Sequence, residues 1–263
     1  VVHNDHGGLH EDLKLTGARI GRRDMLRLAA GGMSALYLLG CSDGVLGVGE
    51  GDGDGACDAI PEETAGPFPA NGSNGPDILS QAGVVRSDIR SSFAGLSGVA
   101  DGVPLTVTLQ LVDGRNGCGP AVGLAVYLWQ CDREGRYSLY SSGATQQNYL
   151  RGVQESDSSG SLSFTTVFPG CYPGRWPHIH FEVYPSLAAA SDARNKIATS
   201  QLAFPEDACN AAYATQGYEG SVDTLERVSL ASDGVFRDGV DQQLATMTGN
   251  PSSGFTAQLT VGV

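Results

Sequence analysis

Two histidines stand one residue apart, His178 and His180, within Pro177-His178-Ile179-His180-Phe181-Glu182-Val183. The run reads as a β-strand, and alternate side chains of a strand share a face. His178 and His180 therefore project together, while Ile179, Phe181 and Val183 turn towards a core. Two imidazoles held side by side form half of a metal site. A single strand histidine is more often a hydrogen-bonded structural residue, but this pair has Tyr172 and Arg175 immediately upstream. Of the 5 histidines in the chain, His3, His6 and His10 fall in a stretch that reads as targeting sequence. Both histidines of the expected folded region thus belong to one strand.

Two histidines leave a metal short of ligands. Glu182 shares their face, and His178, His180 and Glu182 together would suit Fe(II) or Zn(II). Three successive same-face positions on a straight strand, however, span about 13 Å, too far for the outer pair to converge. Tyrosines from other segments can converge, and Tyr137, Tyr140 and Tyr172 are the candidates. Phenolate is a hard anionic ligand suited to Fe(III).

The rest of the chain points to strands and turns. It carries 37 glycines and 12 prolines, and alternating segments lie at 104–113, 124–132, 161–168, 196–204 and 255–263. A further segment begins at Arg136, and 205–215 reads as a short helix. Helices do not alternate with the strands, so the expected fold is all-β, an antiparallel β-sandwich with long connecting loops over 57–263, with 57–100 wrapping it. A formal charge of -13 leaves no basic surface for nucleic acid.

Residues 1–41 read as an export signal. Arg22 and Arg23 resemble a twin-arginine motif, and a short apolar run ends in Leu38-Leu39-Gly40-Cys41, which resembles a lipobox. The run is too short to span a membrane, so membrane attachment is expected only through lipid on Cys41. Residues 42–56, rich in Gly and Asp, read as a flexible tether. The expected location is the outer face of a bacterial cytoplasmic membrane or the extracellular space. Disulfides are permitted there, but five cysteines beyond Cys41 (Cys57, Cys118, Cys131, Cys171 and Cys209) leave an odd thiol and an open connectivity.

Four segments together carry a family resemblance. They are Glu63-Thr64-Ala65-Gly66-Pro67-Phe68, Tyr127-Leu128-Trp129 leading to Gly135-Arg136-Tyr137, Pro169-Gly170-Cys171-Tyr172 with Arg175-Trp176-Pro177-His178-Ile179-His180-Phe181, and Thr199-Ser200-Gln201-Leu202-Ala203-Phe204. Over roughly 60–205 the chain resembles the intradiol ring-cleavage dioxygenases, the group that includes catechol, hydroxyquinol and protocatechuate dioxygenases, in an exported bacterial branch.

That resemblance implies a non-haem Fe(III) held by Tyr137, Tyr172, His178 and His180. It implies catalytic roles for Arg175 beside the substrate ring, for Tyr137 as a proton acceptor and for Gln201 nearby. It further implies a catechol-type substrate, cleaved by dioxygen between its hydroxylated carbons. The connection from Tyr172 to His178 is shorter than in the catechol enzymes, and an open, shallow pocket is the corresponding expectation. The competing reading is an inactive extracellular binding lipoprotein on the same fold, which oxygen uptake on a panel of catechols separates from an enzyme. The sequence assigns neither the natural substrate nor the oligomeric state.

Overall fold

Leu105, Val107, Leu109 and Leu111 are buried, while Thr106, Thr108 and Gln110 between them are partly exposed. That period of two belongs to a strand with one face on a core and one on water. It builds β1 (Pro104–Asp113), the central strand of one sheet. The computed structural model describes residues 57–263. The export signal expected at 1–41, with Arg22, Arg23 and Cys41, and the tether expected at 42–56 lie outside the described residues.

The described chain is β-rich and forms two sheets. In the first, β2 (Gly119–Pro120) and β5 (Ser161–Val167) pair with one side of β1. On the other side lie β9 (Gly254–Gly262) and then β8 (Thr246–Asn250). The second sheet has the order β4 (Arg151–Glu155), β3 (Ala125–Trp129), β6 (His178–Tyr184), β7 (Ala198–Ala203). One core joins them: Val107, Leu109, Phe164, Ala257 and Leu259 from the first sheet pack in the same cluster as Leu128, Phe181, Val183 and Leu202 from the second. Burial of each large side chain contributes about 1.5–3 kcal/mol.

The expectation of a wholly antiparallel fold needs correcting. β1 and β9 run parallel from Leu105↔Phe255 to Val112↔Gly262. The entire second sheet intervenes between them in the chain, so no tight hairpin forces opposite directions. The expected helix is present as α1 (Glu206–Tyr213), and a second, α2 (Glu219–Leu225), follows it. The segment beginning at Arg136 is a series of turns instead of a strand. Gly135 (φ 79) and Leu139 (φ 72) bend it through the left-handed region. Three strands escaped the pattern, the two-residue β2 among them. β4 ends in partly exposed Gln154 and exposed Glu155, and β8 is a mostly exposed edge without alternation.

Residues 57–100 wrap the sheets as loops, touching them at isolated bridges such as Ala59↔Gly262, Val85↔Val153 and Asp88↔Thr165. Cys57 is disulfide-bonded to Cys118, while Cys131, Cys171 and Cys209 are free and buried. The wrapping loops lay a second apolar layer on the far face of the four-stranded sheet. Ala70, Ile78, Leu79 and Val84 cover Tyr127, Trp129, Tyr137 and Tyr172 there.

Candidate active site and metal centre

The site is built across one row of the four-stranded sheet. His180 of β6 lies opposite Trp129 of β3 and Gln201 of β7, and Trp129 in turn lies opposite Arg151 of β4. Residues directly opposite in an antiparallel pair face the same way. Gln201, His180, Trp129 and Arg151 therefore stand on the face turned away from the main core. The Trp129 ring stacks on the His180 imidazole, with centroids 5.0 Å apart and planes 5° from parallel. β6 is buried along its whole length, which fixes both histidines.

Loops bring the tyrosines onto that face. Tyr137 follows a turn organised by Asp132, whose carboxylate accepts from the backbone of Glu134 and Arg136 and from the Arg136 and Tyr149 side chains. The Tyr137 amide donates to Ser141 Oγ at 2.9 Å. Tyr172 sits in the loop between β5 and β6, pinned by Cys171 N–H to Ser221 Oγ of α2 (2.9 Å) and by Tyr213 Oη of α1 to the Pro169 carbonyl (3.0 Å). The two loops touch at Gly135. A Cβ there would lie 3.2 Å from Tyr172 Cβ, and the positive φ already favours glycine.

Four polar atoms converge as a result. Tyr137 Oη is 3.4 Å from Tyr172 Oη, which is 3.1 Å from His178 Nε2, which is 3.1 Å from His180 Nε2. His178 Nδ1–H donates to the Trp176 carbonyl. That bond leaves Nε2 as the lone-pair nitrogen, the tautomer a metal-ligating histidine adopts. Among the described residues no group of three or more His, Cys, Asp or Glu side chains is placed to hold a metal ion. A metal here must therefore draw on the tyrosine oxygens. The donor set of two phenols and two imidazoles fits a hard ferric ion. Burial pushes the Cys171 thiol up to about 12, so this neighbour of Tyr172 offers no competing thiolate.

Burial is also the main reason both histidines stay neutral. It holds the pKa of His178 well below 6.5, with the Arg175 charge adding to the effect. His180 is lowered in the same way, by burial first and then by His178, Arg175 and Arg151. The unfolded chain therefore binds more protons than the native one below the ordinary histidine range, and native stability falls as pH falls. Metal-free protein should lose up to about 1.4 kcal/mol per pH unit per histidine as acid is added below pH ~6.5. Urea unfolding at stepped pH measures this, and a flat profile between pH 7 and 5 would contradict it.

Glu182, on the same face of β6, does not join the cluster. Its carboxylate accepts from Asn71 Nδ2 (2.9 and 3.0 Å), Tyr184 Oη (2.6 Å) and Lys196 Nζ (2.8 Å). It fastens the wrapping loop to the sheet. Tyr140 is likewise structural, accepting from the Ala70 amide and donating to the Asn74 carbonyl.

Arg175 is fully buried. Its Nε donates to Asp233 Oδ2 at 3.0 Å and its Nη2 to Gln201 Oε1 at 2.6 Å, while Gln201 Nε2 donates to the Thr64 carbonyl at 2.8 Å. Asp233 also accepts the Trp176 amide and, through Oδ1, the amides of Val235 and Phe236. One carboxylate thus holds both the arginine and the turn bearing Phe236, whose ring lies 6.4 Å from that of His178. On another side Phe68 packs 4.9 Å from the Tyr137 ring. None of the four converging side chains is more than 9% exposed. Phe68 and Phe236 thus bring aromatic rings from distant segments beside the four converging side chains.

Known proteins of similar fold and a family model bear on the chain's family. An intradiol ring-cleavage dioxygenase from Tetranychus urticae superposes with a TM-score of 0.60 at 25% identity, covering 78% of this chain and 94% of that one. A hydroxyquinol 1,2-dioxygenase from Pseudomonas putida DLL-E4 gives a TM-score of 0.46 at 20% identity, covering 76% of this chain and 65% of that one. No curated protein sequence matches the chain. A model of the dioxygenase family matches residues 74–227, more than half of the sequence. The chain belongs to the intradiol ring-cleavage dioxygenases.

In this dioxygenase the residues singled out from the sequence, Tyr137, Tyr172, Arg175, His178, His180 and Gln201, stand together. Asp233, Phe236, Phe68 and Arg151 escaped that reading. Asp233 and Phe236 lie beyond the segments that carried the resemblance. Phe68 lies in a segment that carried the resemblance but was given no role there, and Arg151 occupies an ordinary strand context; only the three-dimensional contacts reveal what they touch.

Proposed function

We propose that this dioxygenase binds ferric iron through Tyr137 Oη, Tyr172 Oη, His178 Nε2 and His180 Nε2. It opens a catechol-type ring between the two hydroxylated carbons, on a fold we read as a β-sandwich. The observation that carries the proposal is the convergence of those four atoms on one buried face. When bound, the metal supplies Lewis acidity that withdraws electrons from the substrate oxygens and makes the ring susceptible to dioxygen. The remaining work falls to the protein. In its phenolate form Tyr137 Oη would receive a proton from a substrate hydroxyl. Arg175, held by Asp233 and Gln201, presents a fixed positive charge to the anion that develops, in a site too dry for water to screen it. Phe68 and Phe236 offer apolar surface for an aromatic ring.

Catechol and dioxygen together have the composition of the muconate-type diacid, so the reaction needs no external reductant. With ¹⁸O₂, mass spectrometry should find one labelled oxygen in each new carboxyl group. A yellow semialdehyde, or a product carrying one label or none, would refute the assignment. Binding of catechols without oxygen uptake would favour a binding protein.

A further inference from the structure

We propose that Arg151 is a positioning residue for the Tyr137 donor, tying the turn that carries Tyr137 to the entry segment that packs on its ring. The proposal rests on the reading of the site given above. Arg151 is fully buried, and its hydrogen-bond acceptors are all neutral oxygens. Nε donates to Ser138 Oγ (3.0 Å), Nη2 to the Ser138 carbonyl (2.9 Å), and Nη1 to the Pro69 carbonyl (3.1 Å) and Tyr127 Oη (3.2 Å). Ser138 adjoins Tyr137, and Pro69 adjoins Phe68, which lies against Tyr137. A single guanidinium therefore fixes the ring-bearing turn and the segment that covers it.

The charge has no carboxylate partner among the described residues. A buried unpaired cation is costly, and well-packed apolar residues often replace buried charges with no loss of stability. Stability alone therefore does not account for this arginine. A site that gathers anionic oxygens from tyrosine and from an ortho-diphenol does account for it, since a fixed positive charge one residue behind Tyr137 favours those anions. The backbone points the same way. Of the five non-glycine residues at positive φ among the described residues, Leu139, Leu150 and Ala70 each adjoin a residue of this knot. Each such residue costs about 1–2 kcal/mol, and their bends deliver the oxygens that the guanidinium binds. The contact with Tyr127 extends the arrangement towards the metal ligands, because Tyr127 stacks on Trp129, and Trp129 on His180.

The test compares iron-loaded wild-type protein with Arg151→Met, Arg151→Lys and Tyr127→Phe, reading the tyrosinate-to-iron absorption band and the split between kcat and KM. R151M should shift the band and lower kcat by roughly 10²-fold, the penalty expected for a misplaced reacting group, with KM changed less than kcat. R151K should recover part of both effects, and Y127F should produce a smaller shift of the same sign. A band and a kcat unchanged in R151M, with only the melting temperature lowered, would overturn the positioning role alone. If R151M does not fold, an unshifted band in both R151K and Y127F overturns it equally. A wild-type protein that takes up iron without any such band would overturn the site assignment, and this inference with it.

Discussion

His178→Ala should yield folded protein that no longer retains iron. The side chain supplies one of four converging donors and is itself the neighbour of two of them, Tyr172 Oη and His180 Nε2. Metal affinity should fall by well over ~10²-fold, since even groups that only orient metal ligands are worth 10–100-fold. Ring cleavage should fall with it. Elemental analysis and the loss of visible colour after dialysis check this directly. Glu182→Gln is the informative contrast. The carboxylate occupies the same face of β6 but is engaged by Asn71, Tyr184 and Lys196, so the variant should keep its iron while losing some stability. Iron lost in Glu182→Gln and kept in His178→Ala would reverse the ligand assignment.

Arg175→Met should cost about 3–5 kcal/mol of stability, a large effect for one surface-remote side chain. The substitution leaves Asp233 charged and fully buried, and breaking a buried pair by removing one partner carries that penalty. Asp233 still holds the amides of Trp176, Val235 and Phe236, so its charge is not wholly abandoned, and the lower half of the range is expected. Removing both charges, as in Arg175→Met with Asp233→Asn, should restore part of the stability but none of the activity. Denaturant unfolding of the two single variants and the double variant forms the cycle. A loss under about 1 kcal/mol in Arg175→Met would show that the pair is not the anchor described here.

Much of the candidate site could be read from local pattern. The His178–His180 pair is a consequence of strand periodicity, and β1, β5 and β6 follow from alternation that the structure reproduces nearly to the residue. The choice of Tyr137 and Tyr172 over Tyr140 came from resemblance: nothing local to Tyr137 says that a turn will carry it onto the face of β6. What remained hidden was long-range. Asp233 reaches Arg175 across 58 positions of sequence, and no spacing rule anticipates such a contact. The direction of β9 was hidden for a related reason. Its alternating residues suit either orientation, and only the route of the connecting chain selects the parallel one. The wrapping by 57–100 was foreseen without one of its consequences, the placing of Phe68 against Tyr137.

The parallel pairing of β1 with β9 also sets an order of assembly on the ribosome. β3, β4, β6 and β7 have all been synthesised once Ala203 is made, so the sheet carrying both histidines is complete early. The sheet that must back it is not. Leu105 waits for Phe255, and Leu109 for Leu259, so β1 emerges from the exit tunnel with one long edge bare until β9 follows. Contacts so distant in sequence form slowly, and an unpaired edge of this kind invites association with other chains. The nascent protein thus passes through an interval in which the half bearing the candidate site exists but its apolar backing is open, a state that chaperones would be expected to recognise.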